Sequence, residues 1–136
     1  MNKYVVHFNE GVKGKLPVPG GGGDFCILID KQMSGAEHFS LLVNSFQPGY
    51  VGPMHQHEVE HAWYILSGQG TITIGDETWD IGPDMAIFAP IGVPHQVACT
   101  GNEPMRYVVV YAPAGPEQDL RERGDQAFSG YGEKKT

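Results

Sequence analysis

Apolar positions in this chain fall in short runs, many alternating with polar ones, and most runs end at glycine, proline, asparagine or aspartate. Alternation with a period of two marks a half-buried strand, and turn residues at close intervals mark an all-β sandwich or barrel. The pattern predicts a first strand over residues 3–8, where Tyr4, Val6 and Phe8 alternate with Val5 and His7. Leu16-Pro17-Val18-Pro19 followed by Gly20-Gly21-Gly22-Gly23 reads as a loop, because proline lacks the ladder donor and glycine is conformationally loose. Strands are expected over 25–30 and 38–46, the second with Phe39, Leu41 and Val43 on one face, and a turn over 31–37 joins them. Residues 51–57 and 61–66 read as the next two strands. Residues 71–74 and 77–81 form a hairpin about Gly75-Asp76, and 85–89 reads as a buried run. Pro90-Ile91-Gly92-Val93-Pro94 is a rigid loop that presents His95 at the head of a strand reaching Thr100. A long strand follows over 105–112, with Val108 and Val110 expected inward and Tyr107 and Tyr111 on the other side. Residues 116–123 suit a short helix, with proline in its first turn and Glu117 and Asp119 at its positive end. Roughly ten short strands joined by tight turns close into an all-β jelly roll, a double-stranded β-helix barrel, with a short C-terminal helix.

Composition narrows this picture. A length of 136 residues suits one domain, with a core over about 25–113, an N-terminal arm over 1–24 and a C-terminal helix and tail over 114–136. From Gly124 onward the polar, glycine-bearing composition predicts a loosely held tail. A net charge of −7 argues against nucleic acid or an anionic membrane as partner, since both require basic patches. No apolar run approaches the ~20 residues of a membrane span, and the start lacks the apolar core of a signal peptide, so a cytoplasmic location is expected. Cys26 and Cys99 match no redox or zinc spacing and read as reduced and buried.

The chemistry concentrates in His55-Gln56-His57 and His61. On a strand, residues two apart share a face and start about 6.6 Å apart, close enough for two imidazoles to tilt onto one metal ion. After a tight connection His61 can return on the neighbouring strand, and His95 stands where the Pro-Gly-Pro loop meets its own strand. His55, His57, His61 and His95 are therefore the candidate metal ligands, although His61 can also face the interior without ligating. Glu58 and Glu60 read as a solvated turn. Trp63 shares the parity of His61 and is either pocket wall or plain barrel core. Val97 and Cys99 share the parity of His95, with Cys99 a small buried hydrophobe, and Gln47, Met54 and Gln96 are placed to flank an opening. Neutral imidazoles leave a divalent ion its full charge, which favours Lewis-acid work, and nitrogen donors suit Fe, Ni, Cu, Zn and, less well, Mn.

Two motifs in order resemble those of the cupin family. Gly49, His55, His57, His61 and Gly68 fit the first, with histidine where its glutamate usually stands. Pro90, Gly92 and His95 fit the second, with Asp84 at the position of its first glycine and Cys99 at that of its asparagine. The resemblance implies a small cupin whose divalent metal sits on four histidines. It implies an oxygenase-like or isomerase/lyase-like enzyme acting on a small oxygenated molecule chelated to that metal, or alternatively a non-catalytic module binding a sugar or signalling ligand. It also implies a homodimer formed through sheet edges and N-terminal strands, for which Tyr4 to Phe8 is the candidate. No catalytic residue is assigned.

Overall fold

The computed structural model describes residues 3–18 and 20–123. Among these, nine strands build two antiparallel sheets. The larger has the order β1 (Val12–Lys15), β2 (Gly23–Ile29), β3 (Ser40–Phe46), β9 (Met105–Ala112), β4 (Glu60–Ser67), β7 (Ala86–Ala89). The smaller has the order β6 (Glu77–Ile81), β5 (Gly70–Ile74), β8 (His95–Cys99). The arrangement is a jelly roll, with one short C-terminal helix, α2 (Pro116–Arg123), at the expected residues. The predicted tail lies outside the described residues. No described helix is long and apolar enough to cross a membrane.

The core forms where the two sheets face each other, with Ile27, Leu42, Ile65, Ile72, Met105 and Val109 almost fully buried. The centre of the large sheet is β9, paired with β3 on one side and β4 on the other. Its register makes successive inward rows: Ser40, Tyr111 and His61, then Leu42, Val109 and Trp63, then Asn44, Tyr107 and Ile65. This reverses the sequence expectation for β9. Tyr107 and Tyr111 point inward with Met105 and Val109, while Val108 and Val110 are only half-buried. The parity is set by Arg106, whose charge must stay in water and which shares a face with the two valines. The other face carries the larger aromatic area to bury.

Four further expectations are corrected. Residues 3–7 form no strand. Lys3 N–H donates to Met33 O at 2.8 Å, and His7 opens a single 3₁₀ turn, Phe8–Glu10. Asn9 N–H donates to His7 Nδ1 and His7 N–H to Glu10 Oε1, so local side-chain acceptors outcompete a ladder there. The 31–37 turn contains a one-turn helix, α1 (Lys31–Ser34), capped by Asp30 and ended by Gly35 in the left-handed region. On β3 Leu41 and Val43 share one face as expected, a half-buried one, and Leu42 and Phe46 on the other face fill the core. In the 85–89 run only Ile87 and Ala89 are buried, because β7 is an edge strand whose other face, with Phe88, is exposed. Residues 51–57 make only isolated bridges, Val51 to Ala98 and His55 to His95.

Two turns show how backbone geometry selects residues. Gly68 sits at φ +88°, and a Cβ there would lie 2.5 Å from Met105 Cα, so no other residue fits between β4 and β5. Asp84 occupies the left-handed region, φ 71°, where the cupin motif has glycine, and its carboxylate accepts from the Tyr64 hydroxyl at 2.8 Å. Asp84→Gly is therefore expected to hold stability within about 1 kcal/mol, while Asp84→Ala loses more than that, since alanine gains neither the hydrogen bond nor the conformational freedom. Urea midpoints of the two variants check this ordering.

Helix α2 is anchored by buried polar groups as well as by Leu120 in the core. Glu117, almost fully buried, accepts from Ser40 Oγ and Gly115 N–H, both at 2.8 Å. Arg121 pairs at 2.5 Å with Asp30, whose other oxygen accepts from Met33 N–H. Removing one member of a buried pair strands the other charge. Asp30→Ala is thus expected to cost on the order of 3 kcal/mol in urea unfolding, from the orphaned guanidinium and the lost α1 cap together.

Candidate metal centre

His55 and His57 lie on the irregular connection between β3 and β4, and His95 is the first residue of β8. Backbone bonds fasten these segments. His55 N–H donates to His95 O at 3.0 Å, and His95 N–H returns to His55 O at 2.8 Å. Gly92, at φ +74° in the Pro-Gly-Pro loop, donates its N–H to His57 O at 2.9 Å. Each histidine thus offers one ring nitrogen to a common point, all three within 4.8 Å of one another. Ring centroids are 4.8 Å apart for His55 and His57 and 4.6 Å for His55 and His95.

Two of the rings are also set in the tautomer that a metal needs. His55 Nδ1 lies 3.0 Å from Pro53 O, and His95 Nδ1 lies 3.3 Å from Val93 O. A carbonyl can only accept, so each Nδ1 carries the proton and each Nε2 keeps its lone pair. His95 Nε2 is buried and has no hydrogen-bond partner. That orphaned acceptor fits a divalent ion, as does the convergence of three ring nitrogens on one point.

His61 stands beside the trio, its ring centroid 5.3 Å from those of both His57 and His95, but is not gathered with them. Its Nε2 accepts the indole N–H of Trp63, which leaves Nδ1 as the protonated nitrogen, buried and without a hydrogen-bond partner. Of the residues expected in the pocket, Trp63 and Val97 line the cavity next to the histidines. Gln47 and Met54 are exposed, Cys99 is buried in the core, and Val108 and Val110 belong to the opposite face of β9, so none of these five lines it. Gln96 is engaged elsewhere, donating to Gly52 O at 2.9 Å. The walls that the sequence did not disclose are aromatic: Phe46, Tyr50, Tyr107 and Tyr111. Phe46 stacks on Tyr50 with centroids 4.0 Å apart, and Tyr111 lies 4.6 Å from His61. Leu16, Pro17 and Val18, from the connection between β1 and β2, complete the enclosure. The cavity is narrow, about 40 Å³. Among the described residues lining it there is no carboxylate and no ammonium group.

Burial, with the charge of His55 next, pushes the His95 imidazole down to about 4, against a smaller upward pull from the Val93 carbonyl. Burial, then the neighbouring histidines, pushes His61 well down. Both are neutral at pH 7. The folded values lie below the unfolded one of about 6.5, so the unfolded chain binds more protons between them and stability falls as pH drops through that window. For His95 the loss is on the order of 3 kcal/mol between about pH 6.5 and 4. Urea unfolding of metal-free protein across that range measures it, with His95→Gln expected to flatten the slope.

Comparison with known proteins agrees with this geometry. Residues 42–111 match the family model described as Cupin domain. The solved structure of the polyketide cyclase RemF from Streptomyces resistomycificus superposes with a TM-score of 0.72 at 30% identity, covering 85% of this chain and 82% of that one. Auxin-binding protein 1 of Arabidopsis thaliana is 26% identical over 87 residues, 57% of this chain and 44% of the relative. Mannose-1-phosphate guanylyltransferase RfbM of Salmonella typhimurium is 30% identical over 66 residues, 47% of this chain and 14% of the relative. The chain spans less than half the length of these two curated relatives. The family match runs from β3 through both histidine motifs to Tyr111 on β9, and the chain belongs to the cupin family.

Proposed function

We propose that this cupin is a metal-dependent enzyme of the isomerase/lyase type, acting on a small carbonyl-rich molecule that chelates a divalent ion through two oxygens. One observation carries the reading: three imidazoles, two of them buried, converge beside a cavity that His55 lines and that aromatic rings wall. His55, His57 and His95 would hold the ion, with His61, whose Nε2 accepts the Trp63 N–H, as a fourth ligand once that bond is released. Mn, Fe, Ni, Cu and Zn all suit such a nitrogen set. When bound, the ion supplies Lewis-acid polarisation of a chelated carbonyl.

The chain's own residues do the rest. Trp63, Tyr107 and Tyr111 present ring faces and edges that orient a flat substrate and keep water from it. At its present volume the cavity takes a few waters. Admitting a ring therefore requires Leu16–Val18, which lie outside any strand, to give way. Likeness to a polyketide cyclase supports ring closure on a polyketone as the reaction. The lack of a carboxylate in the lining supports a second reading, a non-catalytic module that binds such a molecule without turning it over. A homodimer is part of the proposal, with pairing at a sheet edge, β1 or β7, in place of residues 3–8.

Metal analysis after gentle purification tests the centre. His55→Ala, His57→Ala and His95→Ala are expected to lose bound metal. His61→Ala, which removes the fourth ligand, is expected to weaken binding without abolishing it, and Trp63→Phe, which releases His61 Nε2, to hold metal as tightly as wild type or more so. Full metal content in the first three variants would sink the assignment. Incubation of metal-loaded protein with synthetic poly-β-ketones then separates the readings: cyclised product without oxygen uptake supports the enzyme, oxygen uptake points to oxygenase chemistry, and binding without turnover leaves the module.

A further inference from the structure

One polar side chain in the cavity has no structural task. Asn44 lies on β3 with the parity of Leu42 and Phe46, so it faces the interior between two apolar neighbours. It lines the same cavity as His55 and His61 and is 4% exposed. Its Oδ1 is buried and has no hydrogen-bond partner. A buried amide oxygen left unsatisfied costs stability, and an apolar side chain of the same size would avoid that cost. Its place in the fold shows what could satisfy it. Asn44 pairs with Tyr107 and His61 pairs with Tyr111, both across β9. Four residues along a strand separate these levels by about 13 Å. Trp63 sits in the row between them, opposite Val109.

Building on the proposed function, we infer that Asn44 is a specificity-determining residue that binds a hydroxyl group at the end of the ligand remote from its metal-chelating oxygens. The cavity then reads as a slot with a metal at one end, ring faces along its length and one amide at the other end. A hydroxyl suits either orientation of that amide, donating to Oδ1 or accepting from Nδ2. The ligand class that follows is a phenol or enol carrying a chelating dicarbonyl roughly one ring away, a distance compatible with the ~13 Å between the two levels once side chains are subtracted. Asn44 touches no reacting atom in this arrangement. It selects and orients.

The test compares benzoylacetone with 4-hydroxybenzoylacetone, which differ only by the remote hydroxyl, using calorimetric titration of metal-free and zinc-loaded protein. Wild type is expected to bind the hydroxylated probe roughly tenfold more tightly in both forms. Asn44→Leu is expected to lose that preference while keeping its zinc and gaining thermal stability. A second readout needs no apolar variant: in isotopically labelled wild type, the Asn44 side-chain amide resonance, assigned through Asn44→Asp, shifts with the hydroxylated probe and not with the parent. Equal affinities in wild type, or a preference that survives in Asn44→Leu, overturn the inference and leave water as the partner of Asn44. The metal reading fails separately, when zinc does not tighten either probe, and the hydroxyl preference in metal-free protein still decides the role of Asn44.

Discussion

The centre depends on two backbone hydrogen bonds, His55 N–H to His95 O and His95 N–H to His55 O. Without them residues 51–57 would be a loop with a single further bridge, and His55 would lose its direct tie to His95. The exchange joins the connection after β3 to a strand of the smaller sheet, so the two sheets are tied where the rings meet. Gly92 extends the clamp to His57. Main-chain groups fasten the segments, and the contacts of His55 Nδ1 with Pro53 O and His95 Nδ1 with Val93 O leave Nε2 of those two rings as the lone-pair nitrogen. The cost of bringing the rings together is thereby met when the barrel folds rather than when an ion arrives.

Polar groups inside this barrel are divided by charge. The buried carboxylates, Asp30 and Glu117, are at the α2 end, satisfied by Arg121, Ser40 and main-chain donors. The cavity beyond them holds imidazoles, aromatic rings and one amide. A positive ion placed there meets no competing fixed anion, so its field falls on whatever oxygen completes its coordination. Ser40 links the two regions, since it shares a row with Tyr111 and His61 and donates to Glu117. The C-terminal helix therefore braces the sheet at the level of the histidines.

Much of this was legible in the sequence, because glycine and proline punctuation delimits short strands and β-branched runs leave little doubt about type. The limits of α2 and the cores of β4, β5, β6 and β8 follow from such signals. Parity was harder. On β9 valine and tyrosine are both good strand formers, and only the charge on Arg106 tells which set faces water. The lining was missed for the same reason: Phe46, Tyr50, Tyr107 and Tyr111 converge from three separate segments, and no local pattern announces that. The spacing of His55, His57 and His95 disclosed a cluster, and the shared parity of His61 and Trp63 put their rings side by side on β4, but parity alone does not say that the indole N–H engages the imidazole. The N-terminal segment went astray because its acceptors, His7 and Glu10, act over a single turn that alternation does not register.

The contact between Trp63 and the histidines has an optical consequence. The chain has two tryptophans, and the other, Trp79, is 45% exposed on an edge strand. Trp63 is buried, with its ring centroid 4.4 Å from His61 and 5.5 Å from His95. Its emission is thus blue-shifted relative to that of Trp79 and sensitive to the electronic state of the adjacent imidazoles, whereas the outer indole reports only solvent. Trp63 is in this way a fluorescent gauge of the histidine cluster, with Trp79 as an internal reference in the same chain.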